Sequence, residues 1–229
     1  MLQKLREQVC EANQALVRHG LVIMTWGNVS GIDRASGLVV IKPSGVPYEG
    51  LTPDKMVIVS LDGDRREGNL NPSSDLPTHL ELYRAFPGAG GITHTHSACA
   101  TGFAQARRAL PCYGTTHADH FYGEVPCTRL LTPDEVASNY ELNTGRLIVE
   151  TLRDRDALAV PAVLVAGHGP FTWGATAGAS VNNSVALEAC ARMALETLAL
   201  DPSAAPLPAH ILDRHYHRKH GPAATYGQH

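Results

Sequence analysis

The segment Thr93-His94-Thr95-His96, which follows the apolar Gly91-Ile92, has the clearest capacity for chemistry in this chain. Residues i and i+2 of a strand point to the same face. The two imidazoles would then project together from Cα atoms about 6–7 Å apart, close enough to share one metal ion. The same spacing also describes two polar residues on a solvated strand face. A third histidine, in Gly167-His168-Gly169-Pro170, comes directly after the apolar run Ala162 to Val165. Its flanking glycines permit a tight backbone that lets the side chain reach inward. Ser73-Ser74-Asp75 sets a carboxylate just before a helical segment, where a plain helix cap is the competing role. His94, His96, His168 and Asp75 together make a full ligand set for Zn²⁺, or for Mn²⁺ or another divalent ion. None of them is a thiolate, which fits a catalytic site. A catalytic ion needs room for substrate, so Asp75 is expected to be the loose ligand.

A second group suits a small anion. Gly27-Asn28-Val29-Ser30 is expected to follow one strand and Lys42-Pro43-Ser44-Gly45 the next, while Ser73-Ser74 precedes a helix. Backbone N–H groups are free at such ends. One lysine with several hydroxyls and N–H groups suits a phosphate monoester, although each segment taken singly is also an ordinary turn. A third group could move protons: Thr115-Thr116-His117-Ala118-Asp119, the histidines His215, His217 and His220, and Tyr226 near the end. Spacing alone makes the late histidines a solvated helix face.

These residues must be positioned by an α/β layered fold. Leu2, Leu5, Val9, Ala12 and Leu16 recur at helical steps up to Gly20. Strands are expected at Leu21–Thr25, Leu38–Ile41 and Val57–Leu61, the last turning at Asp62-Gly63 toward a fourth near Arg66. A helix is expected over Thr78–Phe86, a strand over Gly91–His96 and a helix over Ser97–Arg107. Thr132-Pro133-Asp134-Glu135 is a capping box opening a helix toward Leu152. Ala162–Val165 reads as a short buried strand, Ser180–Leu200 as a long helix and Ala209–His220 as a last one. Hairpin signals without a βαβ repeat predict a single domain over residues 1–229, with a mainly antiparallel central sheet and helices on both faces.

Composition narrows the function classes. The chain has 229 residues, 44% hydrophobic and 18% charged, with a net charge of −3. That balance gives no footprint for nucleic acid or an anionic membrane. No apolar run is long enough to span a bilayer, and the start carries charges where a signal peptide would be apolar. The five cysteines form no C-x-x-C pair. A reducing, cytoplasmic setting is the expectation. There is no G-x-G-x-x-G and no Walker loop.

Taken in order, the segments MTWGNVS, IKPSGV, NPSSDLPTHLELYRAFP, GITHTHS, TTHADHFYG, GHGPFTWG and LDRHYHRKHGPAATYGQ resemble the class II aldolase/epimerase family along the whole chain. The resemblance implies metal ligands at Asp75, His94, His96 and His168. It implies phosphate contacts at Gly27, Asn28, Lys42, Ser44, Gly45, Ser73 and Ser74. It also implies an acid–base pair of Asp119 and Tyr226, with His215 beside it. In the family these last three come from a neighbouring subunit of a C4 homotetramer, residues 209–229 completing that neighbour's site. Aspartate at position 75, where the aldolase branch usually has glutamate, and the TTHAD segment favour the epimerase branch, with a phosphorylated sugar as substrate. The aldolase branch, a fold relative without activity, and a metal-dependent hydrolase are the alternatives. Thr225 stands where tyrosine is common in the family, and His217 where an apolar residue is common.

Overall fold

The structure is a computed structural model and describes residues 2–221, 224 and 225. Helix α1 (Gln3–Arg18) buries Val9, Ala12, Asn13 and Leu16 along one face and stops before Gly20. The strands are β1 (Asn28–Asp33), β2 (Leu38–Ile41), β3 (Val57–Ser60), β4 (Arg65–Glu67), β5 (Gly91–His94), β6 (Ala162–Leu164) and β7 (Pro170–Gly174). They form one sheet in the order β4-β3-β2-β1-β5-β7-β6, antiparallel throughout. The remaining helices among the described residues are α2 (Leu76–Ala85), α3 (Ala98–Gln105), α4 (Thr115–Ala118), α5 (Pro133–Thr151), α6 (Ala177–Leu200) and α7 (Ala209–Lys219).

Both faces of the sheet are buried, and strand alternation shows how. Val39, Ile41, Val57 and Val59 join Leu76, Leu80 and Tyr83 of α2 and Ile148 of α5 in one core cluster. Their neighbours Val40 and Ile58 face the other way, against Val9 and Leu16 of α1 and Val181 of α6. A period of two on a sheet with apolar residues on both faces requires a helical layer on each side. The expected architecture is the one found.

Two strands lie outside the sequence expectations, and one expected strand is absent. Leu21 to Thr25 forms no strand: Met24 takes a φ of +57°, and Ile23 and Met24 are exposed. The strand begins at Asn28, so Gly27-Asn28-Val29-Ser30 opens β1 and does not follow a strand. Asn28 and Ser30 sit in β1 because each has a tertiary partner. The Asn13 amide of α1 both donates to the Val29 carbonyl (3.1 Å) and accepts from the Val29 N–H (2.9 Å). Ser30 Oγ lies 2.7 Å from His79 Nδ1 and 2.8 Å from the Tyr83 hydroxyl. The other addition is β7, which pairs β5 and β6. Strand β5 ends at His94, two residues short of the expected His96. The capping box at Thr132 and Glu135 forms as expected, with Thr132 Oγ1 accepting from the Glu135 N–H and the Glu135 carboxylate from the Thr132 N–H.

Candidate metal centre

The register of the central strands brings the two expected groups together. Asn28 is paired directly with His94 across β1 and β5, and Phe171 of β7 is paired with His94 on the other side. The Phe171 ring stacks on the His94 imidazole, with centroids 4.2 Å apart. His94 Nδ1 donates to the Pro170 carbonyl at 3.0 Å. A carbonyl can only accept, so that bond places the proton on Nδ1 and leaves the Nε2 lone pair free. His94 Nε2 lies 3.0 Å from His96 Nε2. One donor nitrogen from each of His94, His96 and His168 lies within 4.8 Å of the others, a group that could hold a metal ion. His94 is buried, His168 half-buried and His96 exposed, so the group opens outward. Nitrogens bound tetrahedrally at about 2.1 Å from an ion lie about 3.4 Å apart, and this cluster needs little movement to reach that spacing.

Electrostatics suit the same role. Partial desolvation pushes the His96 imidazole below its ordinary value, with His94 adding to the effect. Burial, with His94 and His96 beside it, pushes His168 down to about 4. Both shifts favour the neutral form in which an imidazole binds a metal ion. Burial works against ionisation of Asp75, yet the His94 and His79 imidazoles and an Asn28 hydrogen bond outweigh it and hold the carboxyl below its usual range. Asp75 sits at the N-cap position of α2 but makes no side-chain cap bond. Its carboxylate instead accepts from Asn28 Nδ2 at 2.6 Å, and the same amide donates to Ser73 Oγ at 3.0 Å. Asp75 lies outside the tight histidine trio.

A cavity of about 420 Å³ opens over this cluster. Its lining contains the four expected ligands together with Gly27, Asn28, Lys42, Ser44, Gly45, Ser73 and Ser74. All eleven residues come from five separate segments of the chain. Gly27 is where two of them touch: it takes a φ of +80°, and a Cβ there would lie 2.8 Å from the His94 carbonyl oxygen. The glycines beside His168 act as expected, Gly167 with a φ of +73° and Gly169 against the Thr95 carbonyl. Lys42 is only 2% exposed, and burial lowers its pKa.

Four lining residues were not anticipated: Thr25, Trp26, Tyr140 and Glu141. Helix α5 breaks at Asn139, whose backbone is extended, and Tyr140 and Glu141 follow the break. The Tyr140 hydroxyl lies 3.3 Å from His168 Nδ1. No pattern in the sequence marks that break.

Asp119 and His215 lie together but do not line the cavity. Asp119, at the end of α4, accepts from Arg218 (2.7 and 3.1 Å) and pairs with Lys219 (3.3 Å) and His215 Nδ1 (3.1 Å), all from α7. Burial opposes its ionisation, but Arg218, His215 and Lys219 prevail and hold its carboxyl at about 2. The His220 ring donates to the Asp119 carbonyl at 3.0 Å, so this histidine is engaged and not merely solvated. Tyr226 lies outside the described residues. No described helix is long and apolar enough to cross a membrane, and all five cysteines are free.

Comparison with known proteins gives consistent results. The model of the class II aldolase and adducin N-terminal domain matches residues 7–195. A curated protein of Salmonella paratyphi B, L-ribulose-5-phosphate 4-epimerase UlaF, is 52% identical over 227 residues, covering 99% of this chain and all of that protein. Among solved structures, an L-fuculose 1-phosphate aldolase superposes with a TM-score of 0.80 at 24% identity, covering 94% of this chain and 95% of its own. YgbL of Klebsiella pneumoniae, a putative aldolase/epimerase/decarboxylase, superposes with a TM-score of 0.76 at 23% identity, covering 93% and 97%. At those identities the structures speak for the fold alone.

Proposed function

The chain belongs to the class II aldolase and adducin N-terminal domain family, and from that premise we propose that it is a metal-dependent isomerase interconverting L-ribulose 5-phosphate and D-xylulose 5-phosphate. One observation carries the reading: the histidine cluster and every segment expected to hold a phosphate line a single cavity. The Salmonella relative, matched end to end at 52% identity, bears the name of that activity.

The substrate's own chemistry sets the task. The C4–H bond is not adjacent to the C2 ketone and is not acidic, so simple deprotonation cannot invert C4. Cleaving C3–C4 in a retro-aldol step and re-forming it on the other face of the aldehyde can. A divalent ion, Zn²⁺ in this proposal, supplies Lewis-acid stabilisation of the negative charge that develops on the ketone and C3 oxygens. His94, His96 and His168 would hold it, with Asp75 as the displaceable fourth ligand. Gly27, Asn28, Lys42, Ser44, Gly45, Ser73 and Ser74 bind the phosphate. That grip keeps the glycolaldehyde phosphate fragment in place while its aldehyde turns over.

Protons must leave and return at the C4 oxygen in either configuration, which takes two groups. Asp119 and Tyr226 serve here, with His215 positioning Asp119. Asp119 lies off its own chain's cavity, which supports the arrangement that the family resemblance implies, a C4 homotetramer in which a neighbouring subunit supplies these groups. Residues 209–229 of one copy then complete the site of the next. The free cysteines suit a cytoplasmic location. Incubation with L-ribulose 5-phosphate, with and without chelator, tests the activity: D-xylulose 5-phosphate should form only where metal is retained.

A further inference from the structure

A side chain outside the cavity joins two segments that line it. Lys42 follows β2, and its buried ammonium has one hydrogen-bond acceptor among the described residues, the Pro43 carbonyl at 3.4 Å. The Tyr48 ring lies against the same ammonium, 4.9 Å from centroid to Nζ. Tyr48 is 3% exposed and does not line the cavity. Its hydroxyl reaches back to the Trp26 carbonyl (2.7 Å) and the Gly27 carbonyl (2.8 Å), one hydrogen shared between two acceptors. Trp26 and Gly27 line the cavity, and Gly27 has a left-handed backbone.

Each contact has a consequence for an anion. A desolvated ammonium gains from an aromatic face, and that face occupies one side of it. With one carbonyl and one ring as its partners, the group keeps N–H donors free for a ligand. Carbonyl oxygens repel anions. Drawing those of Trp26 and Gly27 toward a hydroxyl outside the cavity engages them away from a bound anion. Fixing both segments in advance also lowers the ordering cost of binding.

We propose that Tyr48 is the positioning residue of the anion cradle, its ring orienting the Lys42 ammonium and its hydroxyl holding the Trp26–Gly27 turn, so that the two segments meet one phosphate group as a unit. This rests on the reading of these segments as the phosphate site. The test uses the full chain and measures KM and kcat for L-ribulose 5-phosphate, the Kd of inorganic phosphate, and thermal unfolding. The variants are Lys42→Met, Tyr48→Phe, Tyr48→Leu and each Tyr48 change combined with Lys42→Met.

Tyr48→Leu should raise KM and the phosphate Kd about tenfold, with a smaller change in kcat. Tyr48→Phe keeps the ring and should give a smaller rise that persists in the Lys42→Met background. In that background Tyr48→Leu should add no more than Tyr48→Phe does. If Lys42→Met moves neither KM nor Kd, the phosphate reading itself fails. If Lys42→Met raises both while the Tyr48 variants lose only thermal stability, or only kcat, Tyr48 has no positioning role and the proposal is overturned. Tyr48→Phe removes a single oxygen and decides the matter even where Tyr48→Leu does not fold.

Discussion

Gly27→Ala perturbs the contact between the Gly27 turn and strand β5, which carries His94, and its cost can be worked from the backbone. Gly27 has a φ of +80°, where an L-residue pays roughly 1–2 kcal/mol. The added methyl would lie 2.8 Å from the His94 carbonyl oxygen and 2.9 Å from Val22 Cγ1. The first neighbour is backbone at the end of β5 and cannot yield without moving His94. Overpacking of that kind adds about 1–3 kcal/mol. Gly45→Ala is the matched control, because Gly45 also has a positive φ, +67°, yet a Cβ there meets nothing within 4 Å. It should show the backbone cost alone. Gly27→Ala should therefore lose about 1–3 kcal/mol more than Gly45→Ala in denaturant unfolding, or about 2–4 °C of Tm per kcal/mol. It should also release metal to a competing chelator more readily, whereas Gly45→Ala should hold metal like the wild type. Equal stability losses in the two variants, or wild-type metal retention in Gly27→Ala, would refute the reasoning.

Further predictions are simpler. Asp119→Asn should abolish most turnover while leaving metal content unchanged, measured by steady-state kinetics and metal analysis; wild-type turnover would remove Asp119 from the proton transfer. The Asp119 carboxyl is held at about 2 against about 3.9 in an unfolded chain, so its contribution to stability is present above the higher value and lost as pH falls toward the lower. Burial holds His79 at about 3 and His117 at about 4, against about 6.5 unfolded. The unfolded chain then binds protons that the native one refuses, and chelator-treated protein should lose stability steadily from pH 6.5 to 4 in denaturant titrations; a flat profile would contradict this. Thr132→Ala removes the cap of the helix that carries Tyr140 and should cost about 1 kcal/mol by denaturant unfolding.

The sequence made the cavity legible because its residues sit in short polar segments beside apolar runs. His94, His168, Lys42 and Asp75 could each be tied to such a junction, and all four line the cavity. What hydropathy could not reveal was polar structure satisfied at a distance. Strand β1 reads as a turn because Asn28, Ser30 and Gly31 lack apolar alternation; its polar side chains are buried only because Ser73, His79 and Tyr83 meet them from elsewhere in the chain. The opposite holds at Leu21–Thr25, an apolar stretch that forms no strand and leaves Ile23 and Met24 exposed. Tyr140 and Glu141 were invisible for a third reason. They reach the cavity through a break in α5 that neither glycine nor proline announces. The family resemblance, in contrast, pointed to Asp119, which lies off the cavity that the sequence made legible.

The central claim is that a metal ion on the three histidines and a phosphate in the neighbouring segments together allow C4 to be inverted. It is tested most directly by following L-ribulose 5-phosphate with the purified chain, with chelator-stripped chain and with stripped chain resupplied with Zn²⁺. The account predicts D-xylulose 5-phosphate from the first and third samples and none from the second. Equal product formation in all three, or no product in any, would contradict it.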